Sequence, residues 1–476
     1  MNAISQPVGQ VLSAEAIGQA FEAQRATAIR LRQSTLAERR AKIRKLRDSL
    51  LAHQAEIVQA GWDDFRKPAT EVELTEILPV VAEANDALRN LRGWMKPQGV
   101  WPSRMMIGTK GYMQYEPKGR CLIIAPWNYP VNLSLGPLVS AVAAGNTVII
   151  KPSEMTPHAS AVISKIVRAV FGPDEVTVIE GDAPVAQALL DLPFDHVFFT
   201  GSPAIGKVVM AAAAKHLTSV TLELGGKSPT IVDASADLKL AAQNILWAKF
   251  TNNGQTCIAP DHIYVHESVR GAFVQACRDV LSSVYGAQPQ QSEHLARVVN
   301  ERHTARVQAL LDDAVARGAT VLAGGEVDAG DRFVAPTLLT DIPADAKIMQ
   351  EEIFGPLLPV IGFRDLDEVI ARINDGPKPL ALYIWGRDDA NIRKVMQQTS
   401  SGGACINHCV VQFLHGNLPF GGVNNSGIGS AHGHFGFKAF SHERAVVRTR
   451  IMLAKMFFPP YTALTRRLIR IFMKTV

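Results

Sequence analysis

Two residue types able to act on a carbonyl group stand close together in this chain. Cys257 closes the run TNNGQTC, and upstream Glu223 opens the run ELGGKSP. A thiol adds to a carbonyl carbon and a carboxylate can take a proton from water, so the pair is the minimum machinery for making and hydrolysing a thioester. A lone cysteine is usually a small buried hydrophobe. Cys257 differs because it follows a polar, glycine-containing loop after the helical run AAQNILWAKF, whereas Cys277 in GAFVQACRDV reads as a core residue. Cys405 and Cys409, four apart in GGACINHCVV, would share a face if that run were helical. Without Asp or His partners at ligand spacing they read as packing or loop residues. The five cysteines form no zinc pattern, and no metal site is expected.

Other residues could serve the same chemistry. Asn128 in APWNYP follows the strand-like run CLIIA, where its amide can donate to a developing oxyanion or cap the next helix. Lys151 and Glu154 end the strand-like TVIIKPSE, and a cation and a carboxylate at the carboxyl end of a parallel strand can bond ribose hydroxyls. Thr200-Gly201-Ser202-Pro203 follows HVFFT, with Gly206 inside the next helix. Pro203 suits the first helical position, and the free N–H groups there attract a pyrophosphate; an ordinary strand-to-helix turn is the plainer alternative. GGKS looks like part of a P-loop, but the glycine that motif requires is replaced by Thr221, which excludes ATP binding there. Glu223 ends the apolar run TLEL and is followed by Leu224, Gly225 and Gly226, where backbone can approach a ligand closely.

The elements that must position these residues follow from periodicity. From Ser13 to about Phe65, and again over 71–91, apolar residues recur at helical spacing. Short β-branched runs then alternate with helices from CLIIAP to SVTLELGG, which predicts a doubly wound parallel sheet. A second alternating set, from SPTIVDAS to PLALYIWG, predicts a second α/β domain. GYMQYEPKGR and AVVRTRI have strand character outside both sets and are expected to pair as a small sheet that mediates dimerisation.

Composition narrows the function classes. The 476 residues require more than one domain, and with 47% hydrophobic and 20% charged residues the chain is globular. A net charge of +5, spread along the chain, gives no nucleic-acid footprint. The N-terminus lacks a signal-peptide pattern, no apolar run is long enough to span a membrane, and the irregular cysteines fit a reducing cytoplasm.

Taken in order, APWNYP, KPSE, FTGS with Gly206, LELGGKSP, GQTC, EEIFGP and LPFGGVNNSG resemble the aldehyde dehydrogenase superfamily, over about residues 13–450. GQTCIAPD, LYIWG and LPFGGVNNSGIG are most similar to its class 3 branch, which includes fatty-aldehyde and coniferyl-aldehyde enzymes. The resemblance implies a Rossmann-type parallel-sheet cofactor domain (1–110 and 122–222), a second α/β catalytic domain (223–420), a bridging and oligomerisation sheet with a return segment (111–121 and 421–450), and a tail (451–476). It implies NAD(P)-dependent oxidation of a lipophilic aliphatic or aromatic aldehyde to an acid, in a homodimer. Cys257 is then the nucleophile, the Asn128 amide and the Cys257 N–H hold the oxyanion, and Glu223 activates the hydrolytic water. Lys151 and Glu154 meet the adenosine ribose, and Thr200, Gly201, Ser202 and Gly206 form the pyrophosphate turn. Leu224 and Gly225 also belong to the cofactor site, Glu352 meets the nicotinamide ribose and Phe354 packs beside the nicotinamide. Pro203 departs from the threonine common at that position. Glu154 favours NAD, with NADP left open.

The tail mixes Leu468, Ile469 and Phe472 with Arg466, Arg467 and Arg470, a basic amphipathic helix that could dock on the protein or contact a membrane peripherally. The substrate path is expected around Trp62, Tyr129, Leu133, Asn407 and Phe413. Two other functions stay open: transfer of the acyl group to CoA, against which Glu223 argues, and a catalytically inactive binding protein.

Overall fold

The computed structural model describes residues 12–475. Two parallel sheets dominate it. The first has strand order Gly427–Ile428, Ser219–Glu223, His196–Thr200, Arg120–Ile124, Thr147–Lys151 and Val176–Val178. All neighbours run parallel except Gly427–Ile428, which pairs antiparallel with the end of Ser219–Glu223. Its central strands are buried along their whole length because helices cover both faces, which is why they read as continuous apolar runs rather than alternating ones.

The second sheet runs Thr320–Ala323, Thr337–Thr340, Leu357–Phe363, His262–His266, Pro229–Val232, Ala381–Trp385 and Gly403–Ile406, parallel except for its first strand. A third, antiparallel sheet joins Gln98–Val100, Thr109–Pro117 and Ser441–Thr449. It contains the two segments left outside both alternating sets.

The N-terminal helices form as periodicity predicts: Ala14–Leu31, Leu36–Ala52, Gln54–Phe65 and Leu78–Trp94. Thr35 and Glu38 make a reciprocal capping box at the start of the second. Ile43, Leu46, Leu50, Val80, Ala84 and Leu91 are buried against Pro130–Ala144. That helix is apolar almost all round because it lies between the first sheet and these helices. Its N-terminus follows Asn128 and Tyr129 directly.

Three expectations need correction. Cys121, assigned to the bridging sheet, lies in the central strand Arg120–Ile124 of the first sheet, where the apolar run demands burial on both faces. Part of the 421–450 return segment, Gly427–Ile428, is an edge strand of that same sheet. Cys405 and Cys409 share no helix: Cys405 is in the strand Gly403–Ile406 and Cys409 lies beyond its end. Both are buried, as packing residues. Among the described residues no helix is long and apolar enough to cross a membrane. The tail forms a helix, Ala463–Thr475, with Phe472 edge-on to Phe457 and with Ile469, Ile471 and Met473 exposed.

Candidate active site

The loop before Cys257 is polar, yet its residues 252–255 are buried. Asn252 and Asn253 both have φ of 54°, in the left-handed region that Asn tolerates better than most residues. Their amides hold the turn in place: Asn253 Nδ2 donates to the Ala296 carbonyl (2.6 Å), and Asn252 Nδ2 to the Asn128 carbonyl (2.7 Å). Gln255 Nε2 donates to Asn252 O and Arg297 O, while its Oε1 accepts from Val299 N. Gly254, at φ 75°, lies so close to the Gly355 carbonyl that a β-carbon would strike it. The result is a rigid platform for Cys257, which is partly buried. Burial pushes its thiol up to about 12, and the Glu352 and Glu223 carboxylates add to the shift. In the resting site the sulfur therefore carries its proton.

Asn128 is buried beside this loop. Its Nδ2 donates to the Gln255 carbonyl at 3.0 Å, which leaves its second N–H unused by that bond. It does not cap the following helix, whose N-cap position is Tyr129. The Tyr129 hydroxyl instead bonds Thr256 Oγ1 at 2.5 Å, next to the nucleophile.

Glu223 ends its strand opposite Thr200 on one side and Gly427 on the other. Neither of its carboxylate oxygens has a hydrogen-bond partner among the described residues, and burial raises its pKa well above the usual carboxylate range. Burial of this kind raises the proton affinity of the carboxylate, so its ionised form is a stronger general base than a carboxylate in water.

A cavity of about 550 Å³ lies between the two sheets, and Asn128, Thr200, Gly201, Ser202, Glu223, Gly225, Cys257, Glu352 and Phe354 all line it. The remaining sequence-predicted residues lie outside that lining. Lys151 Nζ bonds Glu154 Oε2 (2.8 Å) at the end of a neighbouring strand, and Gly206 packs on the Leu224 side chain. Ser202 caps the helix Pro203–Ala214 through its Oγ, with Pro203 at the first helical position as expected. The Thr200 hydroxyl is buried without a partner among the described residues. Phe354 has φ of 44° and meets the edge of Trp127 at 5.2 Å between ring centres.

Glu352 presses on Gly225, where a β-carbon would collide with its carboxylate. Burial raises its pKa to about 8, against a hydrogen bond from the Gly226 N–H. The segment carrying it is held by residues that sequence reasoning missed. Lys227 Nζ donates to Ile348 O and Glu351 O (2.8 Å each) and pairs with Asp261 (2.5 Å), and Asp261 Oδ1 accepts Ile353 N. Lys227 is the lysine of GGKS, so its signal was visible but had been considered only as a phosphate ligand. Trp127, from the APWNYP motif, also lines the cavity, as do His303 and Arg306, which carry no recognisable sequence signal.

On its other side Cys257 faces a narrow slot of about 40 Å³ lined by Leu133, Pro137, Phe198, Phe420 and Phe440. Cys257, Glu223 and Thr200 border both spaces. Glu83 and His432 border the slot and an outer hollow of about 310 Å³ that Phe413 also lines. Of the other residues expected around the substrate path, Leu133 is in the slot. Trp62 is exposed on Gln54–Phe65 and lines none of these spaces. Asn407 is spent on the Gly386 backbone, to which its amide bonds in both directions.

A dinucleotide fits the residues present: an open helix N-terminus at Ser202, a glycine approach at Gly225 beside a carboxylate, and partnerless buried oxygens on Thr200 and Glu223.

The Aldehyde dehydrogenase family matches residues 5–446. The 4,4'-diaponeurosporen-aldehyde dehydrogenase of Staphylococcus aureus is 42% identical over 89% of this chain and 92% of its own length. Mouse aldehyde dehydrogenase family 3 member B1 is 40% identical over 92% of this chain and 93% of its own. The substrate-bound structure of Staphylococcus aureus AldH superimposes with a TM-score of 0.92 at 40% identity, covering 96% of this chain and 99% of that one. The sheet order, the cavity between the sheets and these similarities place the chain in the aldehyde dehydrogenase family, on its class 3-like branch, as an NAD(P)-dependent aldehyde-oxidising enzyme.

Proposed function

We propose that the enzyme oxidises a lipophilic aldehyde to the free carboxylic acid, with Cys257 as nucleophile and Glu223 as the base for hydrolysis. The observation that carries this reading is that Cys257 and Glu223 border both the apolar slot and the larger cavity. The carbonyl end of the aldehyde occupies the slot at Cys257, and the rest of its chain extends toward the outer hollow that shares Glu83 and His432 with the slot. The sulfur bonds to the carbonyl carbon, the thiol proton passes to solvent in the larger cavity, and the carbonyl oxygen becomes an oxyanion that accepts from the second Asn128 amide hydrogen and the Cys257 N–H. NAD(P), when bound, supplies the hydride acceptor. The thioester left on Cys257 is attacked by water whose proton passes to Glu223; the carbon–sulfur bond breaks and the thiol recovers its proton. A CoA thiol as acyl acceptor would have no use for such a buried base.

For the dinucleotide, Ser202 and the helix it caps would hold the pyrophosphate beside Thr200 and Gly201, with Gly206 and Leu224 packed beneath. Lys151 and Glu154 would take the adenosine ribose. Glu352, against Gly225, would take the nicotinamide ribose, and Phe354 would pack beside the ring. A carboxylate at Glu154 disfavours a 2′-phosphate, and we infer NAD as the preferred cofactor.

The apolar lining of the slot supports a medium- or long-chain or aromatic substrate, as does similarity to a relative named for a diaponeurosporen-aldehyde. We further propose a homodimer that uses the free edge of Ser441–Thr449, most of whose residues are exposed. The tail helix would rest on a membrane surface through Ile469, Ile471 and Met473 with its arginines. Five free cysteines support a reducing, cytoplasmic setting.

The deciding experiment gives the purified enzyme short aliphatic, long-chain and cinnamyl-type aldehydes with NAD or NADP, with and without CoA, and identifies the product. Free acid from long-chain or cinnamyl aldehydes, lost in Cys257→Ser, is expected. Acyl-CoA formed without acid, or a fully active Cys257→Ser, would overturn the reading.

A further inference from the structure

Behind the site lies a cluster of ionisable side chains that this chemistry does not use: Lys67, Glu71 and Glu76. Lys67 is 1% exposed and Glu76 3%. The helical segment carrying the two glutamates contains a π-turn, Glu73–Ile77, between Ala69–Val72 and Leu78–Trp94. Such wide turns cost regular hydrogen bonds and occur most often where function requires a redirected side chain. Here the turn contains Glu76. Its Oε2 accepts from Val131 N (3.1 Å) and Asn132 N (2.9 Å), which are unpaired first-turn donors of the helix that follows Asn128. Its Oε1 accepts from Lys67 Nζ at 3.3 Å.

Lys67 reaches further into the site. Its Nζ donates to the Asn128 carbonyl (3.4 Å) and lies over the Tyr129 ring, 4.6 Å from its centre. The same Asn128 carbonyl accepts from Asn252 Nδ2, and the Asn252 N–H donates to Glu71. The cluster therefore holds the oxyanion loop from one side and the nucleophile loop from the other.

A buried Lys–Glu pair is a poor source of stability, because desolvation offsets most of the attraction and apolar packing does as well. Charged hydrogen bonds do fix direction. We infer that Lys67, braced by Glu76, is a positioning residue that locks the Asn128 loop onto the Cys257 loop, so that the free Asn128 amide hydrogen points at the oxyanion. The inference rests on the role given to Asn128 above.

A double-mutant cycle with Asn128 tests it, because a residue acting through Asn128 loses its effect once that amide is gone. The fastest aldehyde of the panel is used at saturating cofactor. Asn128→Ala is expected to lower kcat by about a hundredfold or more. Lys67→Met is expected to lower kcat by about tenfold or more in the parent, and by less than about threefold in the Asn128→Ala background, with KM for the cofactor within about twofold of the parent. If Lys67→Met is unfolded at the assay temperature, the charge-neutral double change Lys67→Met, Glu76→Gln is read in its place. Equal losses in both backgrounds, an unchanged kcat, or unfolding of both variants would show a role in folding alone and overturn the inference. If Asn128→Ala itself is harmless, the oxyanion assignment falls and takes this one with it.

Discussion

Gly225 lies against the carboxylate of Glu352 so closely that no side chain fits between them. Gly225→Ala must therefore push Glu352 away from the cavity. We expect KM for the cofactor to rise by about tenfold with kcat for the aldehyde changed far less, since uniform binding rather than chemistry is lost. Steady-state kinetics with cofactor as the varied substrate checks this.

Glu352 also sets a pH dependence. Its pKa of about 8 means that the neutral acid prevails at pH 7. Accepting hydrogen bonds from ribose hydroxyls favours the carboxylate, so binding must release a proton below pH 8. Cofactor affinity should then tighten as pH rises from 6 to about 8 and level off above it. Calorimetric titration in buffers of different ionisation enthalpy should detect proton release at pH 7 but not at pH 9, and none at either pH in Glu352→Gln.

The role proposed for Glu223 is the hydrolysis step. Glu223→Gln should release about one reduced cofactor per site in a burst and then stall, with kcat lower by about a hundred- to ten-thousandfold. Burial raises this carboxyl above the usual carboxylate range, so its anionic form grows with rising pH and steady turnover of the parent should climb as pH rises beyond that range. Rapid mixing, with intact-mass detection of the acylated protein, would decide. An unreduced steady state in the variant would rule out Glu223 as the base.

Lys151 and Glu154 bond each other at 2.8 Å at the strand end proposed for the adenosine ribose. Removing the carboxylate frees the lysine for a phosphate. Glu154→Ala should lower KM for NADP and raise it for NAD, shifting the ratio of kcat/KM values toward NADP by about tenfold, or about 1.4 kcal/mol.

Leu133 lines the slot on the aldehyde side of Cys257. Leu133→Trp should block long-chain and cinnamyl aldehydes while sparing acetaldehyde, read as kcat/KM across the panel. Equal loss for every aldehyde would mean that the slot is not the substrate path.

What the sequence revealed, and what it hid, divides along physical lines. Cys257, Glu223 and Asn128 stood out in the sequence because each stands where a strand or helix gives way to a loop, a position ordinary packing does not require, and the fold brings all three to one cavity. The two parallel sheets were legible because burial on both faces writes continuous apolar runs such as TVIIK and HVFFT. The grip of Lys227 on the Glu352 segment and the Lys67–Glu76 pair were not legible, because each joins residues from different elements and neither partner is unusual locally. Of the residues expected around the substrate path, Leu133 lines the slot and Phe413 the outer hollow, whereas Trp62 is exposed on its helix and Asn407 bonds the Gly386 backbone, placements set by distant elements that local sequence does not show.

The edge strand Gly427–Ile428 has a consequence for how the enzyme is made. It pairs with Leu222 and Glu223 only after the chain has left the first sheet, built the second and come back. During synthesis the Glu223 edge therefore emerges unpaired and stays so until nearly the whole polypeptide has been produced. The Glu223 edge is completed after the Cys257 loop, so a chain stopped short of Gly427 would carry Cys257 without the strand that pairs with Glu223.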